Sequence, residues 1–223
     1  MKTQVTKNQV TTVKIGGGFV NIVNAGKSDR EIIAQATIMK AVGESSGLAD
    51  SKAKIVNGDF KLKEHVVYAY EVFPALAAGD NSDLNFLKEE KKFERGKYSL
   101  IEGTQLKKFQ NVSVHGIRIS VADAPGGVVG RFKTDIDTAD DLAGLMDSHL
   151  VVKHNGVEDL DIPISRLVTK TYNKEGFASL DKNVVLLEQA PLQIQIKPAA
   201  NGAFRADIAI KVELIGFTTY AIN

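Results

Sequence analysis

Asn21-Ile-Val-Asn-Ala-Gly26-Lys27-Ser28 lies one residue away from a phosphate-binding loop. That loop needs Gly, four residues, then Gly-Lys-Ser/Thr between a strand and a helix, so that backbone N–H groups can wrap the phosphates. Asn21 stands where the first glycine belongs. A partner strand for magnesium would be Ile117-Arg-Ile-Ser-Val-Ala-Asp123, but Arg118 and Ser120 interrupt its apolar run. The segment therefore reads as a strand, a glycine turn and a serine helix cap.

Oxygen ligands for calcium are spaced at Asn81, Asp83 and Asn85, as at the start of an EF-hand. The glycine of that loop is missing, and its twelfth position is Lys92 instead of Glu. Asp135, Asp137, Asp140 and Asp141 form a second acidic cluster, read as helix-capping carboxylates. The histidines are His65, His115, His149 and His154, and none pairs at zinc-binding spacing. His149 and His154 flank a short strand and are expected to face solvent. No Gly-x-Ser-x-Gly elbow occurs, and there is no cysteine to act as nucleophile, zinc ligand or disulfide partner. The expectation is a protein that is not an enzyme and takes no cofactor or metal.

One charged feature remains. Residues 1–27 hold Lys2, Lys7, Lys14 and Lys27 and no acidic residue. These lysines are the candidate contacts of a basic arm to a neighbouring subunit, a genome or a membrane. The plainer reading is one or two first strands with solvated lysines.

The elements that would position these residues are mostly strands. Leu192–Lys197 alternates apolar and polar, and Phe204–Leu214 keeps the same period over a longer stretch. Period two marks a strand with one buried face. Asn155-Gly156 between two apolar runs is the preferred pair for a type I′ hairpin. Pro163 confines its segment to an edge or a strand end. Strands are also read at 55–62, 65–73, 98–101, 112–121 and 184–187, with a bulge at Gly116. Gly16-Gly17-Gly18 implies a hairpin, a bulge or a close backbone approach. Ser28-Asp-Arg-Glu31 is a capping box that opens a helix over 29–42. A second, short helix is read at 140–146, capped by Thr138. Residues 43–54 read as a loop. The count is ten to twelve strands and two short helices, without βαβ alternation.

Size and charge set outer bounds. A chain of 223 residues can bury a substantial core. With 28 basic and 27 acidic residues, it has no global drive toward nucleic acid. No stretch approaches the roughly 20 apolar residues of a membrane-spanning helix, and the first residues lack the apolar core of a signal peptide. A protein made and used in a cytoplasm, or exported without a classical signal, is expected.

The order of elements resembles a known family. Thr138–Leu167 runs short helix, strand, Asn-Gly turn and Ile162-Pro-Ile-Ser165. Leu186–Ile196 and Ala209–Gly216 follow as closing strands. Over residues 98–223 this is similar to the jelly-roll coat proteins of small tailless icosahedral bacteriophages, including those with an internal membrane. The resemblance implies a mainly β fold, an antiparallel β-sandwich or jelly roll with an N-terminal arm and two short helices. Residues 1–27 would be the arm or first strands. Residues 28–223 would form one jelly-roll-type domain or two compact β-barrels. It further implies a virion protein made in the host cytoplasm that self-assembles, as a trimer or pentamer within a shell, beside other virion proteins. Contact with nucleic acid or an internal membrane would be non-specific. Coat proteins of the membrane-containing group carry two jelly rolls, and this chain is short for sixteen strands of about 5 residues. A single roll suits a vertex protein or a simpler shell. The alternative is another virion or surface β-sandwich, such as a tail, fibre or adhesin module, that binds a partner without catalysis.

Overall fold

The alternating run at Leu192–Lys197 is a strand whose burial alternates as the sequence does. It belongs to one of two four-stranded antiparallel sheets that face each other. The computed structural model describes residues 10–15, 18–23, 26–75, 77, 82–87, 99, 101–102, 104–134, 143–168, 177–199 and 207–222. Within them the strands are β1 (Val10–Ile15), β2 (Gly18–Val23), β3 (Phe60–Phe73), β4 (Leu84–Asn85), β5 (Ile101–Glu102), β6 (Gln105–Leu106), β7 (Val112–Asp123), β8 (His149–His154), β9 (Val157–Pro163), β10 (Ala178–Leu186), β11 (Leu192–Lys197) and β12 (Ile208–Ala221). The α-helices are α1 (Asp29–Glu44), α2 (Ala49–Asn57), α3 (Ala143–Met146) and α4 (Ile164–Val168).

The first sheet has the order β10-β7-β12-β3 and the second β4-β11-β8-β9. Every neighbouring pair in them is antiparallel. Numbering these eight strands one to eight along the chain, one sheet runs 6-3-8-1 and the other 2-7-4-5. Strand one therefore pairs with eight, two with seven, three with six and four with five. Phe73 lies opposite Ile208, and Ile208 opposite Asp123, so the chain leaves β3 and β7 and enters β12 at one end. In the second sheet Lys197 lies opposite His149, and His149 opposite Pro163. Consecutive strands mostly change sheet, which is how eight strands wrap one core.

That core is apolar from both sides. Val67, Ala69, Ile117, Ile119, Val212 and Leu214 from the first sheet meet Leu150, Val152, Leu192, Ile194 and Ile196 from the second. Phe73 and Phe86 meet edge-on, with ring centroids 5.2 Å apart. Burial of this aliphatic surface is the main stabilising term of the fold.

The first sheet is also covered on its outer side, so β7 and β12 are buried on both faces along most of their length. A second cluster forms there from Ile22 of β2, Ile38, Met39 and Val42 of α1, Leu48, and Ile55 of α2, packed on Phe60, Val185 and Leu187. Toward the other end, Ala122, Ala124 and Ala209 make a low floor crossed by Val129 and Phe132. Small side chains there let the segment after β7 fold back on the sheet.

Several local expectations meet their elements. Helix α1 starts at the serine cap, with Ser28 Oγ accepting the Glu31 N–H at 3.2 Å. Ile15 pairs with Gly18 in the β1–β2 hairpin, and Gly16 and Gly17 lie outside the described residues. Asn155 and Gly156 have φ of 51° and 77°, as the type I′ turn requires. Pro163 ends β9, an edge strand. The bulge lies at His115: Ile215 opposes Gly116 while Gly216 opposes Val114.

Others are corrected. Of the expected loop at 43–54 only 45–48 remains and of the expected strand at 55–62 only the part from Phe60, because α1 runs to Glu44 and α2 takes Ala49–Asn57, so the α-helices number four among the described residues. Helix α2 buries only Ser51 and Ile55, and its N-cap Leu48 makes no side-chain cap. A stripe that narrow with no capping residue leaves no helical signature in sequence. Helix α1 is 16 residues long rather than short, and α4 follows directly on Pro163. Strand β3 is continuous through Lys63-Glu64 because β12 pairs with it along its full length.

Candidate functional site

The basic arm is the first place to look. Val10–Ile15 and Gly18–Val23 form a hairpin with its own two-stranded sheet. One face turns Ile22 into the cluster against α1. The opposite face presents Val10, Thr12, Phe19, Asn21 and Val23, with Phe19 72% exposed. Lys14 sits in β1 opposite Phe19. Lys27 is half-buried and donates to Gln35 Oε1 at 2.6 Å, and beside it Ser28 is occupied as the helix cap. The Gly26-Lys27-Ser28 hydroxyl and ammonium thus serve α1. Lys2 and Lys7 lie outside the described residues.

Of the candidate calcium ligands, Asp83 and Asn85 are among the described residues. Asn85 Oδ1 accepts from Gln195 Nε2 at 2.6 Å, tying β4 to β11. Asn81 and the cluster Asp135, Asp137, Asp140 and Asp141 lie outside the described residues. Among those described, no three His, Asp or Glu side chains are grouped to hold a metal ion.

Tertiary structure makes a pairing that sequence spacing hides: His65 Nε2 lies 2.9 Å from Ser99 Oγ. Burial, helped by the charge of Lys63, pushes the His65 imidazole below its ordinary value. A base and a hydroxyl at this distance are the first two members of a nucleophilic triad. Among the described residues, neither makes a carboxylate contact that would complete the set. His149 does face solvent, paired with Asp161 at 2.6 Å. His154 does not. It is buried, and its Nε2 accepts the Leu187 N–H at 3.0 Å, because the connection after β10 closes over the end of β8.

Two polar clusters carry the strongest electrostatics. On the outer face of the first sheet, Glu213 is flanked by Arg118 Nε at 2.5 Å and Lys211 Nζ at 2.8 Å. Lys211 also sits over the Tyr68 ring, 4.5 Å from its centroid. Burial alone would push the Glu213 carboxyl up. The hydrogen bonds and charges of Arg118 and Lys211 outweigh it, and the net direction is down from 4.5. A carboxyl lowered in the fold stabilises it above its unfolded value and loses that stabilisation as pH falls through the folded value. His65, also lowered, acts in the same direction below about pH 6.5. Acidification from pH 7 to 3.5 is therefore expected to lower the urea midpoint, and Glu213→Gln should lose part of that pH dependence. An identical pH profile in the variant refutes this role.

The second cluster joins the helices to the sandwich. Glu188, 3% exposed, accepts from Ser51 Oγ of α2 and from the Phe109 backbone N–H. Its own N–H donates to Asn111 Oδ1 at 3.0 Å. Asn111 N donates to Thr219 Oγ1 at 2.9 Å, and that hydroxyl lies 2.9 Å from Phe109 O. Phe109 and Gln189 hold φ of 64° and 60°, left-handed values that a non-glycine residue keeps only when its surroundings enforce them. Lys108 closes the outside with an ion pair to Asp50 at 2.9 Å. A cavity of about 180 Å³ adjoins, lined by Leu48, Asp50, Ser51, Lys108 and Gln189 among others. The arrangement ties the first turn of α2, through the Ser51 side chain, to a distant strand connection.

No protein-family model and no curated protein matches the sequence. The molecule's own geometry must carry the functional argument. In it, the strongest polar groups hold elements together, and the sandwich and hairpin present strand edges and an apolar hairpin face to solvent.

Proposed function

We propose that the protein is a self-assembling shell subunit built on a single jelly roll, of the kind that forms icosahedral phage capsids. The observation that carries this reading is the strand order: pairs one-eight, two-seven, three-six and four-five, laid out as sheets 6-3-8-1 and 2-7-4-5. This order supports a jelly-roll winding, an architecture shared by viral coats, lectins and cupins. Fold alone does not choose among those functions. Two features favour a shell. A cupin places clustered metal ligands on its strands, and no such group occurs among the described residues. Of Tyr68, Tyr70 and Tyr172, which could form a sugar platform, the two among the described residues are used in packing: Tyr70 stacks edge-on to Phe132 at 5.4 Å, and Tyr68 lies under Lys211.

In this reading the sandwich is the rigid wall and the hairpin its inward or lateral attachment. Copies would associate as trimers or pentamers within a larger shell. The test is particle mass, by light scattering on a sizing column with negative-stain imaging of the same peak. Trimers, pentamers or closed particles are the expected result. A monomer at all concentrations and salts would remove self-assembly and leave a monomeric binding module.

A further inference from the structure

We infer that the cavity between α1, α2 and β3 binds a small amphipathic carboxylate, a fatty or aromatic acid with an apolar body of about six to eight carbon atoms. The cavity measures about 150 Å³, and β2 and β12 complete its walls. Its apolar lining is Ile38 and Met39 of α1, Ile55 of α2, and Phe60 and Leu62 of β3. Ile38 and Met39 follow Gln35 by three and four positions, so all three share one face of α1. Phe60 and Leu62 are two apart and share one face of β3. A volume of this size lined by aliphatic and aromatic side chains accepts one aromatic ring or a short alkyl chain.

The polar end sets the chemistry of the ligand. Gln35 Oε1 accepts from Lys27 Nζ at 2.6 Å, which leaves the amide its Nε2 donors to offer. Lys27 is half-buried. It spends one of its three ammonium donors on that neutral amide, and among the described residues no carboxylate pairs with it. A half-buried cation without a counter-ion favours an anion beside it. Among the described residues no acid lines the cavity, and the Thr219 hydroxyl on its wall is already engaged by Asn111 N and Phe109 O. Apolar walls with donors and one positive charge at the Gln35 end are complementary to a monocarboxylate. A ligand held there touches both helices and the first sheet at once, and so fastens the helical layer to the sandwich.

Octanoate and octanol at pH 7 test the site, read by the carbon-13 methyl signals of the methionines, Met1, Met39 and Met146. Met39→Leu identifies the cavity signal, and Met146, packed against the main core, serves as the internal reference. Octanoate should shift the Met39 signal saturably and leave that of Met146 in place. Octanol, which lacks the charge, should bind at least about tenfold more weakly. Lys27→Met should weaken octanoate by about tenfold and leave octanol unchanged, and the retained octanol binding shows that the variant folds. Gln35→Glu, which sets a carboxylate at the polar end, should weaken octanoate at least as much, and it decides alone if Lys27→Met does not fold. The inference is overturned if octanoate leaves the Met39 signal unmoved or if octanol binds as tightly. It is equally overturned if either folded variant keeps full affinity for octanoate.

Discussion

Gly216→Val is expected to destabilise the protein by about 3 kcal/mol, the upper part of the range for forcing volume into a packed interior. Gly216 lies in β12, the strand that pairs with both β3 and β7. A Cβ at this position would collide with the Ser113 carbonyl group and stand 3.0 Å from Val114 Cα. These are backbone atoms of the neighbouring strand, so no side-chain rotation relieves the clash. The close approach arises because β7 carries its bulge at His115, which brings Ser113 and Val114 against Gly216. Relief would require shifting β7 inside the sheet, and with it Val112, Val114 and Ile117 of the main core. Gly47→Ala is the control. Its Cβ would meet nothing within 4 Å, and a change within about 0.5 kcal/mol is expected. Urea unfolding of both variants measures the difference. Equal midpoints would show that β7 and β12 yield at the bulge.

Glu188→Ala should cost about as much by a different route. Removing the carboxylate strands the Ser51 hydroxyl and the Phe109 N–H, and a buried donor left unpaired costs about 1–3 kcal/mol. Ser51 is 1% exposed, so a water replacing the lost acceptor would have to enter from the adjoining cavity. Phe109 also loses one of the contacts that hold its left-handed backbone. A loss of about 3 kcal/mol corresponds to a fall in melting temperature of about 6–12 °C for a chain of this size. Glu188→Gln should recover only part of it, because one amide end can accept a hydrogen bond and the other presents donors. Ser51→Ala tests the coupling: in a Glu188→Ala background its effect should shrink toward zero. Full additivity of the two would mean that Ser51 and Glu188 act independently.

The Glu188 junction also shows where sequence reading stops. Ser51, Phe109, Asn111, Glu188 and Thr219 are dispersed over most of the chain, and no local spacing links them. The same holds for Arg118, Lys211 and Glu213. Lys211 and Glu213 are two apart on β12, and Arg118 joins them only because Glu213 lies opposite it across the ladder. His154 is buried rather than solvent-facing for the same reason: its strand ends under Leu187, a contact made across 33 residues.

Local physics was enough for other features. Alternation set β11, the Asn-Gly pair set the β8–β9 turn, Ser28 set the start of α1, and proline set the end of β9. Each depends on contacts within a few residues, where period and turn chemistry act directly. The sequence by itself therefore determined a mainly β protein with a basic first segment and a capped helix. Tertiary structure alone decided that β7 and β12 bury both faces, that α2 is helical without a cap of its own, and which strands are edges. Those outcomes depend on what packs against an element from far along the chain, and burial of that surface outweighs local propensity.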